Sequence, residues 1–324
     1  SRGSRGKAGT KTQEDDEVKL FISCNDHDTL LLFSDRGVSY ALPAYRVPMS
    51  SRTAKGTPSV QLLPIPREEK ITSLVAVDSF DNDCYLLMLT KAGFIKRTSL
   101  SAFSKIRSNG LIAINLEDGD ALTWVRLSKE GDSVLIGSRT GMAIHFRLDM
   151  SELRPLGRTA RGVKSMNLRE GDNLVSMDVL TSNLVDQLTK NDDLTKEIDE
   201  NLELSSSNGP WVLIASAFGL GKRVPVAQFR LQKRAGMGLR AIKFRIKDDA
   251  LVCLKVLGEG EELLFVTDKG VIVRTKADKI SQQSRAATGV KLQRLDEGDH
   301  LSEVVLVPHE QLEETDEISS GQEN

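Results

Sequence analysis

A short basic loop recurs six times along the chain, and this repetition constrains the fold more than any other feature of the sequence. Each copy is six residues long, carries at least one arginine and ends on glycine. The copies are residues 1–6, 51–56, 105–110, 157–162, 233–238 and 284–289. Their closing glycines follow one another at steps of 50, 54, 52, 76 and 51 residues. A period near 50 residues predicts an array of similar units rather than one irregular domain.

The segments between the loops repeat one order of apolar runs and turns. In the second unit, apolar runs at residues 29–33 and 38–42 flank a polar turn that ends on Gly37, and this pattern predicts a hairpin. The same pattern is present at residues 85–97, 133–146, 211–224 and 262–274. A third strand is predicted after each basic loop, as at residues 112–116, and an acidic turn then leads to a fourth, as at residues 174–179.

The first 80 residues contain further secondary-structure signals. Residues 18–23 and 71–77 are apolar runs, and each is predicted to form a strand. Five prolines between positions 43 and 66 predict that this region contains no regular helix, because proline lacks the amide hydrogen and clashes with the preceding turn. Residues 1–17 carry a basic loop without a preceding hairpin. We interpret them as the second half of a unit whose first half is absent.

Four short strands in about 50 residues are typical of one blade in a radial all-β array. No apolar run follows the 3.6-residue period that a helical solenoid of this repeat length requires. The sequence therefore predicts an all-β, propeller-like disc of six blades, of which five are complete and the first is truncated. We place this domain at residues 1–309, with an acidic surface insertion at 181–210, and expect an acidic disordered tail at 310–324.

Charge is distributed unevenly along the chain, although the net charge is only −2. Residues 181–210 hold seven acids and two bases, and residues 296–324 hold ten acids and no lysine or arginine. Without these two segments the chain has 42 bases against 29 acids. The repeats themselves are therefore basic, and a basic surface of this kind predicts a polyanionic partner.

The repeated loops are the candidate binding site. A loop at one position of each repeat falls on the same rim of every blade, so six copies predict a continuous basic belt. Such a curved belt suits duplex DNA, whose phosphates follow a bendable backbone. The predicted DNA-binding residues are Arg2, Gly3, Arg5, Gly6, Lys7, Arg52, Lys55, Lys105, Arg107, Arg158, Arg161, Lys164, Lys233, Arg234, Arg240, Arg285 and Lys291. The bases beside the hairpins are expected to extend the belt: Lys96, Arg97, Arg147, Lys222, Arg223, Arg274 and Lys276.

The remaining motifs do not support catalysis or a bound metal. The four histidines lack the spacing of a metal site, and the three cysteines are far apart and odd in number. The stretch from Gly219 to Arg223 lacks the spacing of a nucleotide phosphate loop. No apolar run reaches the roughly 18 residues of a membrane-spanning helix, so no membrane partner is expected. No catalytic residue, metal or cofactor is therefore predicted in this chain.

Along nearly its whole length, the sequence resembles the C-terminal domain of the DNA gyrase A subunit. The resemblance is carried by Asn25-Asp26-His27-Asp28-Thr29, Tyr45-Arg46-Val47-Pro48, Val60-Gln61-Leu62-Leu63-Pro64, Gly162-Val163-Lys164, Gly221-Lys222-Arg223 and Val271-Ile272-Val273-Arg274-Thr275. The resemblance implies a β-pinwheel, a six-bladed disc that exchanges strands between blades and wraps DNA around its basic perimeter. The family's hallmark is the heptapeptide Q-R-R-G-G-K-G in the first blade. Residues 1–6 fall where this box is expected, with Ser1 and Ser4 in place of an arginine and a glycine.

The resemblance also implies that this chain is a non-catalytic part of an ATP-hydrolysing type II topoisomerase. The cleaving tyrosine, the ATPase, and the ATP and Mg²⁺ of the whole enzyme would then lie on other parts of it. The implied partners are duplex DNA and, in an A2B2 heterotetramer, the gyrase B protein together with the rest of gyrase A. The insertion at 181–210 is unlike the compact enterobacterial pattern and is more similar to the pattern of cyanobacterial or plant organellar gyrases. We therefore expect a protein located with DNA, in the bacterial cytoplasm, a chloroplast or a mitochondrion.

Three alternatives stay open at this point. The C-terminal domain of the topoisomerase IV ParC subunit shares the blades, lacks the box and bends DNA less. A propeller whose rim docks an acidic protein partner would also be basic. An enzyme with a site in the central channel would need a cluster of acids, bases or nucleophiles. Salt-dependent binding to duplexes of any sequence separates DNA binding from protein docking.

Overall fold

The computed structural model describes residues 20, 22–49, 59–81, 83–190 and 209–307 of the 324-residue chain. These residues form small antiparallel sheets with a few short helices, so the all-β prediction is confirmed. Within this part of the chain, no helix is long and apolar enough to cross a membrane. The half-blade predicted at residues 1–17 and the tail predicted at 310–324 lie outside the described residues.

The secondary structure consists mainly of strands of two to eight residues. The strands are β1 (Thr29–Ser34), β2 (Val38–Pro43), β3 (Ile71–Val77), β4 (Cys84–Thr90), β5 (Phe94–Ser99), β6 (Leu111–Ile112), β7 (Leu122–Lys129), β8 (Ser133–Ser138), β9 (Met142–Arg147), β10 (Val163–Lys164), β11 (Leu174–Leu180), β12 (Trp211–Ser216), β13 (Leu220–Pro225), β14 (Leu239–Arg240), β15 (Leu251–Leu257), β16 (Glu262–Thr267), β17 (Ile272–Lys276), β18 (Val290–Lys291) and β19 (Leu301–Val307). The helices are α1 (Ser59–Leu62), α2 (Ser182–Lys190) and four 3₁₀ turns at Ala44–Arg46, Leu100–Phe103, Val226–Gln228 and Ala277–Lys279.

Five antiparallel sheets follow one another in the described residues. Each sheet contains a hairpin of two strands. The first hairpin strand also pairs with a third strand, called the inner strand, as β4 pairs with both β5 and β7. The second hairpin strand is called the outer strand. In the first four sheets, the second strand of the hairpin pairs with a two-residue strand that comes from the next repeat. These exchanged strands are β6, β10, β14 and β18, and each follows a basic loop. Neighbouring blades therefore exchange strands, as the resemblance implied.

The hydrophobic cores lie between adjacent sheets. Along β4, the side chains of Leu86 and Met88 pack with residues of the first sheet, whereas Leu87 and Leu89 pack with residues of the third. All four of these side chains are completely buried. Because both faces of the strand are covered, it is a continuous apolar run rather than an alternating one. This arrangement explains why the hairpin strands were the clearest signal in the sequence.

The inner strands occupy the centre of the array. The strands β3, β7, β11, β15 and β19 pack beside one another in that order and line a central cavity of about 260 Å³. Arg126, Lys255 and Glu303 project toward this cavity. Burial raises the pKa of Glu303 to about 7, an effect that Lys255 and Arg126 oppose. Because the inner strands hold the centre, the exchanged strands and their basic loops lie at the outer edges of the sheets.

Four details differ from the sequence prediction. The described residues form five sheets rather than the six blades predicted. Residues 20, 22 and 23 of the predicted strand 18–23 are not in a strand, because both edges of the β1–β2 hairpin are already paired. The strand predicted at 112–116 is only Leu111–Ile112, because the amides of Ala113 and Ile114 turn to the Gly37 carbonyl. Helix α1 forms in the proline-rich region because its four residues lie between prolines.

The insertion predicted at 181–210 begins with a helix that belongs to the folded body. Val185 of α2 is completely buried in the core between the third and fourth sheets, and Leu184 and Leu188 pack against the same core. The Arg147 Nη2 atom lies 3.1 Å from the Asp186 carboxylate. The helix therefore fastens the start of the insertion to β9, and residues 191–208 lie outside the described residues.

Candidate nucleic-acid interface

The basic loops at residues 157–162, 233–238 and 284–289 each follow a crossover segment that is hydrogen-bonded to the outer hairpin strand of a preceding sheet. The amide of Leu156 donates to the Arg97 carbonyl at 2.9 Å, and the amide of Gln232 donates to the His145 carbonyl at 2.7 Å. After the loop, the exchanged strand pairs with the beginning of the same outer strand. Each of these loops is therefore held at two points on a neighbouring blade.

Glycine closes each loop because the backbone there is left-handed and touches the neighbouring strand. The closing glycines 110, 162, 238 and 289 have φ angles between +78° and +96°, a region that favours glycine. A Cβ atom on Gly162 would lie 2.6 Å from the carbonyl oxygen of Ile95. The loop thus approaches the adjacent sheet more closely than any side chain permits.

A buried lysine organises the loop at residues 284–289. Lys222 of β13 has a fully buried side chain. Its Nζ atom donates to the carbonyl oxygens of Ser284, Arg285 and Ala287 at 2.8, 2.6 and 2.7 Å. Three donors on one ammonium match three acceptors on one loop. The carbonyls therefore point inward to Lys222, and this fixes the path of the loop backbone.

Lys96 has the equivalent position in β5 and serves the loop at residues 157–162. It is also fully buried, and its Nζ atom donates to the carbonyl oxygens of Gly157 and Arg158 at 2.9 and 2.6 Å. Burial lowers the pKa of Lys96 to about 7, and the Arg158 guanidinium contributes to the lowering. A neutral amine still has two N–H groups, enough for both carbonyls. The loop is therefore anchored in either protonation state of Lys96.

In the outer strands β5, β9 and β13, the residue after the position of Lys96 anchors the start of the crossover. Each donates a side-chain N–H to a carbonyl of the next repeat: Arg97 to Leu153 at 2.5 Å, His145 to Phe229 at 2.7 Å and Arg223 to Ile280 at 2.8 Å. Arg97 is fully buried and pairs with the Glu130 carboxylate at 2.6 Å. The expectation that the hairpin bases extend the surface belt is therefore wrong for Lys96, Arg97 and Lys222, whose charges are buried against backbone carbonyls.

We expect His145 to make stability depend on pH. Its Nδ1–H donates to the Phe229 carbonyl and its Nε2 accepts from Ser133, so the folded state holds the neutral ring. Burial lowers the pKa of His145 to about 4, and Arg147 contributes to the lowering. The unfolded chain binds a proton near pH 6.5 and the folded chain does not, so stability is complete above pH 6.5 and is lost toward pH 4.

The measurement compares urea unfolding of the wild type and His145→Gln at pH 7 and pH 5. Glutamine does not titrate, so the stability advantage of the wild type over His145→Gln should shrink by about 2 kcal/mol between these pH values. Subtracting the variant cancels other groups, such as Glu303, that titrate in the same range. An advantage independent of pH would contradict the neutral assignment of the ring.

The predicted DNA-binding residues fall into three groups. Seven are exposed at the outer edge of the sheets: Lys105, Arg107, Arg161, Lys164, Lys233, Arg240 and Lys291. Three are half-buried: Arg158, Arg234 and Arg285. The remaining seven lie outside the described residues: Arg2, Gly3, Arg5, Gly6, Lys7, Arg52 and Lys55. Arg161 is also held within the protein, because it pairs with Glu117 and its guanidinium lies 4.6 Å from the centroid of the Phe94 ring.

Exposed bases also follow the loop at residues 233–238, where the sequence prediction did not place them. Lys243, Arg245 and Lys247 come after the exchanged strand β14, and all three are exposed. Their alternation with Phe244 and Ile246 is visible in the sequence, so the signal was present. They extend the basic surface of this repeat beyond its loop.

The aspartates of the acidic turns lie against the hairpins, whereas Glu117 of one such turn pairs with Arg161 of a basic loop. The Asp120 carboxylate accepts from the amide of Ala92 at 2.9 Å, and the Asp172 carboxylate accepts from the amide of Thr140 at 3.1 Å. The same contact joins Asp299 to the amide of Lys269 at 3.1 Å. These aspartates close hairpin turns and leave most of the loop bases uncompensated, which keeps the outer edge basic.

Comparison with known families agrees with the repeat pattern. A family model described as "DNA gyrase C-terminal domain, beta-propeller" matches residues 1–25, 28–78, 85–129, 132–181, 210–252 and 261–308. The DNA gyrase A protein of Synechocystis sp. is 55% identical over 330 residues, a match that covers 100% of this chain and 38% of that protein. The chloroplastic/mitochondrial DNA gyrase A protein of Nicotiana benthamiana is 39% identical over 334 residues, covering 99% of this chain and 34% of that protein. The chain thus spans little more than a third of these relatives.

Two solved structures are similar in fold. One, described as the structure of a DNA gyrase A C-terminal domain, has a TM-score of 0.74 at 26% identity and covers 95% of this chain and 92% of that one. The other, described as the C-terminal domain of DNA topoisomerase IV, has a TM-score of 0.71 at 25% identity and covers 91% and 84%. The propeller-like arrangement of the sheets is therefore shared with both.

Proposed function

The chain belongs to the family of DNA gyrase C-terminal domains, and from this membership we propose that it binds duplex DNA and wraps it around the outer edge of its sheets. The observation that carries the proposal is the position of the basic loops. The four described loops lie on the outer edges of successive sheets, and each presents an exposed lysine or arginine within the loop or in the exchanged strand after it. Successive bases along a curved edge match the phosphates of a bent duplex.

The proposed contacts are mainly to phosphates. The exposed bases are Lys105, Arg107, Arg161, Lys164, Lys233, Arg240 and Lys291, joined by Lys243, Arg245 and Lys247. Phosphate contacts fix the path of the duplex but carry no sequence information. Smoothly bending 20–30 base pairs by 40–90° costs roughly 1–6 kcal/mol, which contacts further along the path must offset. Binding of this kind gives wrapping that is independent of sequence.

We further propose that the complete ring has six blades. Two observations support this: the family model matches six segments, and, in the part of the chain that the structure describes, the fifth sheet has three strands where the first four sheets have four. In that sheet Ile272 and Val273 are only half-buried, whereas the equivalent Ile95 and Lys96 are fully buried beneath an exchanged strand and its loop. A groove of about 730 Å³ runs along β17. The sequence interpretation of residues 1–17 as half of a further unit agrees with a sixth blade, and these residues lie outside the described part of the chain.

In the whole enzyme, this chain would be the non-catalytic DNA-wrapping part of gyrase A. The gyrase B protein, together with the rest of gyrase A in an A2B2 assembly, would supply strand cleavage and ATP hydrolysis with Mg²⁺. In the described residues, no group of three or more His, Cys, Asp or Glu side chains is arranged to hold a metal ion. The similarity to cyanobacterial and organellar gyrases supports a location with DNA in a bacterium or an organelle.

The test measures duplex affinity against salt and, separately, the linking-number shift after nicked circles are ligated with the protein bound. If six to ten phosphates are contacted, affinity should fall about 10³–10⁵-fold between 50 and 200 mM salt, whatever the sequence. The wild type should also leave a shift in linking number. Binding without a shift would mean a contact surface that does not wrap, and a smaller shift would favour the bending expected of the topoisomerase IV relative. A flat salt response would favour a protein-docking rim.

A further inference from the structure

Three loop arginines are hydrogen-bonded to the exchanged strand that follows the preceding basic loop. Each lies four residues before the closing glycine of its loop, and each donates from Nη1 to the residue two positions after the preceding closing glycine. The pairs are Arg158 to the Ile112 carbonyl at 3.0 Å, Arg234 to the Lys164 carbonyl at 2.7 Å and Arg285 to the Arg240 carbonyl at 2.7 Å. The same contact therefore recurs at three successive blade boundaries.

The guanidinium groups are hydrogen-bonded to the protein surface rather than extended into solvent. All three side chains belong to half-buried residues, in contrast to the exposed loop bases nearby. The Arg234 Nε atom donates to the Glu152 carbonyl at 2.8 Å, and its backbone amide donates to the Glu152 carboxylate at 2.9 Å. A planar group with several fixed donors suits this geometry, which a lysine ammonium cannot reproduce.

From these contacts we infer that Arg158, Arg234 and Arg285 are positioning residues that set the spacing between consecutive basic loops. The inference rests on the proposed function and adds how the DNA path is kept continuous. Two of the carbonyl acceptors belong to Lys164 and Arg240, which are themselves exposed bases proposed to contact phosphates. Each arginine therefore fixes the backbone of a contact residue on the adjacent blade. Arg2 and Arg52, outside the described residues, have the same position in their loops.

The test uses substitutions that keep the charge. The staple variant carries Arg158→Lys, Arg234→Lys and Arg285→Lys. The matched control carries Arg36→Lys, Arg139→Lys and Arg169→Lys at exposed arginines that lie outside the basic loops and the proposed DNA contacts. Hydrogen exchange is measured on the DNA-free proteins, and duplex affinity and linking-number shift are measured at one salt concentration. The staple variant should exchange faster at β10 and β14, keep its affinity within about twofold and lose at least half of the shift. The control should match the wild type in all three.

Each outcome decides a separate point. If the staple variant keeps the wild-type shift, or exchanges no faster at β10 and β14, the positioning role is wrong. If its affinity falls more than tenfold while that of the control does not, the three arginines are primary phosphate ligands, which also overturns the inference. If the wild type itself leaves no shift, the proposed wrapping fails, whereas hydrogen exchange on the free protein still reports whether the arginines hold the loops.

Discussion

Replacing Gly162 with alanine is expected to lower the free energy of unfolding by about 3 kcal/mol, since a side chain there adds backbone strain and a steric clash. Gly162 has a φ angle of +96°, and a Cβ atom would lie 2.6 Å from the Ile95 carbonyl oxygen and 3.0 Å from its carbonyl carbon. Both contacts are to backbone of β5, which cannot move without disturbing its pairing with β4 and β10. The loop at residues 157–162 should leave the sheet, and duplex affinity should fall as well. Urea unfolding and duplex binding measure the two effects.

Gly171 provides a matched control for this substitution. It lies in the acidic turn of the same repeat with a φ angle of +75°, but a Cβ atom there would meet nothing within 4 Å. Gly171→Ala should therefore cost only the conformational strain, about 1 kcal/mol, and leave DNA binding unchanged. Equal losses in the two variants would mean that the close approach of the loop to β5 contributes nothing beyond the φ angle.

Lys222→Met is expected to cost about 3 kcal/mol of stability, because it removes the donor for three carbonyls of one loop. Methionine fills a similar volume, so the substitution tests the ammonium rather than the packing. Each buried carbonyl left without a donor is destabilising, although relief from burying the charge offsets part of the loss. The loop at residues 284–289 should also become mobile. Hydrogen exchange at β18, together with urea unfolding, measures both consequences.

Lys91→Met is the control for the change in net charge. Lys91 lies in the turn between β4 and β5 and is exposed, so its replacement should change stability by less than about 0.5 kcal/mol. Lys96→Met should resemble Lys222→Met with a smaller loss, since Lys96 has two carbonyl partners on its loop. If Lys222→Met and Lys91→Met were equally stable, the Lys222 ammonium would not be holding its loop.

The hairpins and the basic loops could be predicted from the sequence because both depend on local patterns. Residues 85–97 form a hairpin in the structure, as the apolar runs on either side of Gly93 predicted. The exchange of strands followed only from the resemblance. An exchanged strand such as Val163–Lys164 has two residues, too few for any periodicity, and its partner Ile95 lies 68 residues earlier. A contact between residues so far apart in the chain produces no local pattern in the sequence.

The burial of Lys96 and Lys222 could not be predicted for a different reason. Their partners are backbone carbonyls of a distant loop, and carbonyls are present at every residue, so no complementary side chain marks the pairing. Lysine is rarely buried completely, and the prediction accordingly placed both residues on the surface belt. The half-burial of Arg234 has the same origin, because its acceptors are also main-chain oxygens. Charge patterns alone do not separate exposed bases from buried or half-buried ones that hold the loops.

The exchange of strands also determines when each sheet can receive its fourth strand while the chain is being synthesised. The outer hairpin strand and its exchanged partner are separated by 72 residues of sequence in the first sheet, by 68 in the second and by 69 in the fourth. At about 5–20 residues per second, each of these three sheets would keep an open edge for about 3–14 seconds. Among these four sheets the separation is longest in the third, at 96 residues, because the insertion lies between β9 and β14. During this interval its unpaired outer strand is open to pairing with a foreign strand.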